Sequence, residues 1–409
     1  MPLESREKST PNQAQAVGII GAGQLALMLA EAALELELTP HILAQSPHDP
    51  AAQMDQVKVK IGSLQDSQML TELAKATEIL TFESELVPLD VLAQASRLSG
   101  SEKSHCKIYP SPQVMGVCSD KLKQKQMLRG ARIPTSDWIV MPRDSEPPEK
   151  WLTQVASQFP AGAMIKWARG GYDGRGNFLF KPETANHEKA ERFIEKARER
   201  ESDIYAEELI EIKNEIAVVT TRSIRGESIQ LPTVITRQVR SVCAEVRGPA
   251  NLLGIAQKSV QVAEEYALQI GEALDITGTY AVEFFVKDDS SVIVNEIAPR
   301  VHNSGHFSQD TATTSQFKNH WLGLLGRNLG STQTTPFFGM INILGEQHIQ
   351  NPKPFYLNEK GITSHWYGKM ESRPDRKLGH VNVEADTPAR LEQRLETVKT
   401  AIKNWHKSL

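Results

Sequence analysis

An α/β (α+β) architecture in three parts is predicted for this chain of 409 residues. Three observations predict it. Strand-like and helix-like runs alternate at the N-terminus around Gly21-Ala22-Gly23, which is βαβ material and implies a Rossmann-like parallel sheet. Short strand runs then recur from Trp138 to Pro232, the pattern of a mixed sheet. Finally, Gly330-Ser331-Thr332-Gln333-Thr334-Thr335-Pro336 reads as a linker into a small C-terminal domain.

Residues 1–15 are polar, mixed in charge and without an apolar signal region, and are expected to form a disordered tail. The first domain, 16–110, opens on the buried-strand run Val17-Gly18-Ile19-Ile20, and Gly21-Ala22-Gly23-Gln24 turns into a helix from Leu25 to Glu37. A strand from His41 to Ala44, a helix near Gln65 to Ala76 and a strand from Glu78 to Phe82 continue the alternation, which Tyr109-Pro110-Ser111-Pro112 closes. The middle domain, 111–329, begins with one helix from Gln113 to Arg129, a strand from Trp138 to Met141 and a loop from Pro142 to Pro148. Strands are expected near Ala163 to Trp167, Asn177 to Phe180, Ile204 to Ile210, Glu215 to Arg222 and Ile229 to Pro232. Residues 330–409 make the C-terminal domain.

Composition narrows the function. The chain is 40% hydrophobic and 23% charged with a formal net charge of −4, which leaves no electrostatic footprint for nucleic acid or an anionic membrane. Its longest apolar stretch, Val17 to Ala30, is too short to span a bilayer. The three cysteines, Cys106, Cys118 and Cys243, have no metal-type spacing. Reduced thiols in the cytoplasm are the expected state.

Two glycine-rich segments carry different messages. Gly21-Ala22-Gly23-Gln24-Leu25-Ala26 has the G-x-G-x-x-A form of a dinucleotide fingerprint, yet Leu43-Ala44-Gln45-Ser46 lacks the acid that would hold a ribose diol. A tight turn leading to a helix N-terminus that accepts an anion is the simpler reading. The second segment, Gly170-Gly171-Tyr172-Asp173-Gly174-Arg175-Gly176, lies between strands and suits a lid whose N–H groups wrap phosphate oxygens. Lys166 ends the preceding strand, where its ammonium can meet those phosphates. An ordinary glycine-rich hairpin turn is the plainer alternative.

Downstream, Tyr280 to Val286 and Val292-Ile293-Val294 flank the turn-like Lys287-Asp288-Asp289-Ser290-Ser291 and predict an antiparallel hairpin. A loop from Asp288 to Ser291 would set Glu283 opposite Glu296 on one face. Two adjacent carboxylates repel unless a cation lies between them, and Mg²⁺ shared with nucleotide phosphates fits such a pair. The alternative is a solvated hairpin with two unrelated acids. Directly after the second strand, Asn295 to His306 packs an acid, two histidines, an arginine and amides into twelve residues, which reads as the wall of a site.

Taken together, these segments resemble the ATP-grasp superfamily, and more narrowly the 5-(carboxyamino)imidazole ribonucleotide synthase family, from about Val17 to Val383. The lid, the run Asn295 to His306, His365-Trp366-Tyr367-Gly368-Lys369 and Arg373 to His380 carry the resemblance. Gly21 to Leu25, Thr81-Phe82-Glu83 and Ser119-Asp120-Lys121 add support. The resemblance implies an ATP-grasp fold with a lid subdomain at about 135–210. It also implies an ATP-dependent ligase of purine biosynthesis that joins bicarbonate to 5-aminoimidazole ribonucleotide through carboxyphosphate. ATP, Mg²⁺ (or Mn²⁺), a homodimer and a cytoplasmic location are expected with it.

Carried over residue by residue, Lys121 and Lys166 would contact ATP phosphates under the lid residues Gly171, Tyr172, Asp173, Gly174, Arg175 and Gly176. The backbone near Glu207 would meet the adenine edge, Glu215 would accept from the ribose, and Asn295 would join the ATP site. Glu283 and Glu296 would hold the metal. Arg300 and His302 would grip bicarbonate and carboxyphosphate, and Lys369 would join them as a catalytic residue. The ribonucleotide would contact Gln24, Leu25, Glu83, Tyr172, Arg175, Lys369 and Arg376.

Two departures from the family pattern stand out. Ala26-Leu27 replaces a Gly-Arg pair after Gln24-Leu25. Ile235-Thr236-Arg237-Gln238 lacks the histidines usual after Pro232, with Gln238 or Arg237 as the available substitute. Loss of one hydrogen bond to a charged group costs about 1.5–3 kcal/mol, enough to weaken ATP binding without abolishing it. A formate-dependent transformylase or a biotin carboxylase is the nearest rival, against which Arg376-Lys377-Leu378-Gly379-His380 argues. A non-catalytic nucleotide sensor is the rival from another class, against which Lys166 and both acids argue.

Overall fold

The computed structural model describes residues 15–85, 87–93, 106–142, 148–171, 176–183 and 186–409. The expected tail, most of the loop from Pro142 to Pro148, and the lid residues Tyr172, Asp173, Gly174 and Arg175 fall outside them. Among the described residues no helix is long and apolar enough to cross a membrane, and the three cysteines are free and buried.

The N-terminal sheet has five parallel strands, with Ala16–Ile20 at its centre between Thr39–Ala44 and Ile79–Phe82. Lys58–Ile61 and Lys107–Ile108 form its edges. Both edge strands are short and charged, so their sequence shows little of the apolar run that marks a central parallel strand. Helix Gln24–Glu35 buries Leu25, Met28, Leu29 and four alanines. Its outer neighbour is helix Gln316–Leu324, whose Trp321 indole N–H donates to the Leu29 carbonyl at 2.8 Å. Two helices almost three hundred residues apart in the chain thus share one apolar core.

Four antiparallel strands, Trp138–Val140, Ile204–Glu208, Ala163–Trp167 and Asn177–Phe180, form the lid sheet in that spatial order. Helices Pro148–Gln158 and His187–Arg198 cover it over Trp151, Leu152, Phe180 and Ile194. The glycine-rich segment joins the last two strands, where the Trp167 N–H donates to the Gly176 carbonyl.

A nine-stranded sheet carries the rest. Its run begins with Val292–Ala298, Gly278–Val286, Asn214–Arg222, Val234–Val239 and Val242–Gly248. It continues without a break into the C-terminal strands Phe337–Leu344, Lys377–Ala385 and Ile362–Trp366. The strands of the C-terminal segment thus extend the sheet of the middle segment. Glu245 pairs with Ile341 and Val246 with Met340 across the junction. Helix Pro388–Lys407 closes this end over Leu391, Leu395, Val398 and Ile402.

The helix expected from Gln113 to Arg129 is two helices, Pro112–Cys118 and Lys121–Gly130. Asp120 starts the second by accepting from the Leu122 and Lys123 N–H groups at 3.1 and 3.2 Å, a capping bond worth about 1 kcal/mol. This break aims Lys121 and Lys125, one turn apart, at the sheet.

Candidate active site

Glu283 and Glu296 are direct partners in the antiparallel ladder. The expected pairing holds although the loop does not. The turn spans Lys287 to Ser291, with the Lys287 N–H donating to Ser291 O and Ser290 left-handed at φ 65°. That loop is one residue longer than expected and would offset the acids. A bulge restores the register, because Glu283 faces Glu296 while Phe284 faces Val294, leaving Asn295 as the extra residue. The Asn295 amide reaches the Glu283 carboxylate at 3.5 Å. Burial pushes the Glu283 carboxyl up to about 7, and the charges of Glu296 and then Glu215 add to the shift. A carboxylate so short of positive charge fits a cation site.

Cations come from two directions. Lys121 Nζ donates to Glu296 Oε2 at 2.7 Å. Behind it, Glu207 in strand Ile204–Glu208 joins Lys125 (2.9 Å), Lys166 and the Ser136 hydroxyl (2.9 Å) in a buried cluster. Burial alone would raise the Glu207 carboxyl, but Lys166 and Lys125 overcome it and hold the group at about 2. Lys166 is thus seated by a carboxylate and not free under the lid. Lys125, one turn beyond Lys121, is a further buried cation of this cluster and was not among the expected site residues.

Arg300 is gripped by Glu85, Nε to Oε2 at 2.6 Å and Nη2 to Oε1 at 3.2 Å. This two-point pairing fixes the guanidinium plane. Glu85 went unassigned in the sequence, although it stands only two residues after Glu83, just past the end of strand Ile79–Phe82. His302 accepts from the Ser304 N–H at Nδ1 (3.3 Å), so its Nε2 carries the hydrogen, 3.7 Å from Glu283 Oε1. Burial, then Arg300 and Lys377, pull this imidazole down to about 3, which keeps it neutral.

Glu83 lines the smaller space beside Gln24 and is also bonded to the backbone of the first helix. Its two oxygens accept from the Gly23 and Ala26 N–H groups at 2.8 and 3.4 Å, so the anion at this helix N-terminus is the protein's own. The Glu83 side chain lies so close that a Cβ at either Gly21 or Gly23 would stand 2.6 Å from a carboxylate oxygen, and Gly21 is left-handed at φ 100°. The glycine fingerprint therefore seats Glu83, leaving its remaining lone pairs for a ligand.

Two chambers meet here. The larger, 480 Å³, is lined by Lys166, Glu207, Glu215, Glu283 and Asn295. The smaller, 330 Å³, is lined by Gln24, Leu25, Glu83, Gly170 and His306. Lys121, Glu296, Arg300, His302, Glu85 and Gly171 belong to both, as does Lys377. In the larger chamber Gln238 bonds the Glu215 carboxylate, which burial raises and this bond lowers. A bulge between Arg237 and Gln238 accompanies that placement, while Ile235 packs on the apolar core. Arg376 does not line either chamber and instead donates to the Glu371 carbonyl and carboxylate at 3.1 and 3.2 Å. Lys377, its neighbour, is the cation that reaches them. Lys369 sits 5.7 Å above the Tyr367 ring, and its charge is felt at Glu83.

A nucleotide-sized chamber between a glycine-tipped lid sheet and the acid-bearing end of a larger sheet is ATP-grasp architecture. The ATP-grasp domain model matches residues 126–317, flanked by a ribonucleotide synthetase preATP-grasp domain at 14–119 and a phosphoribosylaminoimidazole carboxylase C-terminal domain at 339–394. The N5-carboxyaminoimidazole ribonucleotide synthase of Aquifex aeolicus is 30% identical, over 96% of this chain and 98% of its own. The enzyme of that name from Synechococcus elongatus is 33% identical, over 90% and 89%. The crystal structure of N5-carboxyaminoimidazole synthase from Aspergillus clavatus, in complex with ADP and 5-aminoimidazole ribonucleotide, superposes with a TM-score of 0.80 at 27% identity, covering 95% of this chain and 99% of that one. This chain belongs to the N5-carboxyaminoimidazole ribonucleotide synthase family.

Proposed function

We propose that the protein uses ATP to carboxylate 5-aminoimidazole ribonucleotide with bicarbonate, giving N5-carboxyaminoimidazole ribonucleotide, ADP and phosphate. The observation that carries this reading is the common wall of the two chambers. Lys121, Glu296, Arg300, His302 and Lys377 face both, so an anion made in one is held where the other's occupant can reach it. A bicarbonate oxygen attacks the γ-phosphorus and the bond to ADP breaks, forming carboxyphosphate. The ribonucleotide's amine then attacks the carboxyl carbon, the bond to phosphate breaks, and the amine loses a proton.

The chain's own residues supply positioning and charge. Lys121 and Lys166 neutralise phosphate oxygens, and Glu215 accepts from the ribose with Gln238 behind it. Arg300, locked by Glu85, grips the carboxyl anion, and neutral His302 offers it an Nε2–H. Glu283 and Glu296 would hold Mg²⁺, which would supply positive charge against the developing charge of the phosphates. The reading extends to a homodimer and a cytoplasmic location.

ADP release should require both bicarbonate and the ribonucleotide. Turnover indifferent to their omission rejects the substrates, and nucleotide binding without turnover favours a sensor. Further expected outcomes concern the cations near the smaller chamber. Lys369→Ala should raise the apparent KM for the ribonucleotide about tenfold or more, by loss of a bond to a charged group, with ATP's KM nearly unchanged, whereas Arg376→Ala should change both constants little, because Glu371 holds Arg376 outside both chambers. Lys377→Ala should raise both, because Lys377 faces both chambers. Equal effects of Lys369→Ala on both substrates would remove Lys369 from the phosphate site.

A further inference from the structure

Beside the shared wall, one fully buried imidazole has no role in the scheme above. Its orientation is set by Gln316. The Gln316 Oε1 accepts from the His302 backbone N–H at 2.9 Å, and its Nε2 donates to the His302 carbonyl at 2.8 Å, so the amide can point only one way. The same Nε2 stands 3.2 Å from His306 Nδ1. That ring nitrogen is therefore the acceptor, and the hydrogen of the neutral ring belongs to Nε2. Gly305 allows the close approach, since a Cβ there would lie 2.8 Å from the Gln316 amide.

His306 is 0% exposed and lines the smaller chamber, and its Nε2 has no hydrogen-bond partner among the described residues. The rings of His380 and Phe317 flank it at 5.0 and 5.7 Å. His380 Nδ1 is already taken by the Tyr367 hydroxyl at 2.8 Å. Buried donors normally find acceptors. This one is held by a fixed amide, on the wall of a chamber, with none of its own.

We propose that His306 is a further catalytic residue, whose Nε2–H donates to an oxygen of the bicarbonate-derived carboxyl group; the proposal rests on the carboxylation reading above. The choice of acceptor follows from the walls. His306 lines the chamber that contains Gln24 and Glu83 but not the one that contains Lys166, Glu207 and Glu215. Nucleotide phosphates are therefore poor candidates. Arg300 and His302 border the same chamber, so the carboxyl oxygens they hold lie within the same small space. A neutral donor fixed before the ligand arrives stabilises such an anion without locking it in place by charge.

The test compares His306→Asn with His306→Gln. Asparagine keeps an acceptor where Nδ1 meets Gln316 and loses the Nε2 donor, whereas glutamine carries an amide N–H out to the Nε2 position. ADP release is measured while bicarbonate, ATP and the ribonucleotide are varied in turn. The asparagine variant should lose about a hundredfold in kcat/KM for bicarbonate, the scale of one lost preorganised donor, with ATP's KM within about twofold of wild type. The glutamine variant should recover about tenfold of that. Two wild-type bicarbonate profiles would overturn the proposal, as would a loss shared equally by all three substrates, or one confined to the ribonucleotide. Wild-type protein that releases ADP without needing bicarbonate would instead reject the carboxylation reading itself.

Discussion

Replacing Glu296 with alanine is expected to lower metal-dependent ADP release by about a thousandfold, the upper range for removal of a preorganised charge contact, while the fold survives. The residue stands at the mouth of both chambers, and its side chain keeps 38% of its exposure. Its removal therefore opens no core cavity. Lys121 loses its 2.7 Å partner but stays in the field of Glu207 and Glu283. Glu283 keeps its place in the ladder and loses a like charge beside it.

That last change has a pH signature. The Glu283 carboxyl is raised in the folded protein from 4.5 to about 7, first by burial and then by Glu296. A raised folded value means that the native state binds the extra proton, so this contribution to stability is complete below about 4.5 and is lost as pH rises through 7. Melting of the metal-free protein should fall across that window, and less steeply in the alanine variant. Unchanged kcat in Mg²⁺ would remove the acid pair from the mechanism, whatever the melting curves show.

How much of this was legible depends on where each cause resides. The acid pair could be read because alternation and turn residues are local, yet its register survives only through the bulge at Asn295, which exists in relation to the partner strand. The break at Asp120 had its signal in plain view, a capping residue ahead of a helix. What hid it was the apolar continuity of Val114, Met115, Cys118 and Leu122. Glu85 could have been found by the same two-residue step that leads from Glu83. The central sheet's passage into the C-terminal strands could not, because Glu245 and Ile341 meet across almost a hundred residues and neither announces the other. Nor could the burial of Lys125, which makes sense only beside Glu207 from the lid sheet. Local chemistry was readable from the chain; pairings set by tertiary contact were not.

The Glu207 cluster gives the second large effect. Glu207→Leu should destabilise the protein by about 3–5 kcal/mol, the scale for removing one partner of a buried ion pair, and Glu207→Gln by less. The carboxylate's side chain is 8% exposed, and those of Lys125 and Lys166 are 5% and 11%. With leucine in place, two ammonium groups would face each other across an apolar gap. Ser136 retains a bond to Lys125 at 2.7 Å, too little to replace a charge. In the wild type the depressed carboxyl, at about 2 against 4.5 unfolded, contributes stability that is present above 4.5 and lost as pH falls toward 2. The leucine variant should lack that acid-side decline. Lys166 also lines the nucleotide chamber, so phosphate oxygens can stand in for the missing carboxylate. ADP should therefore raise the melting temperature of the variant more than that of the wild type. Equal melting temperatures for variant and wild type without ligand would mean that these charges are solvated, and the seat proposed for Lys166 would go with them.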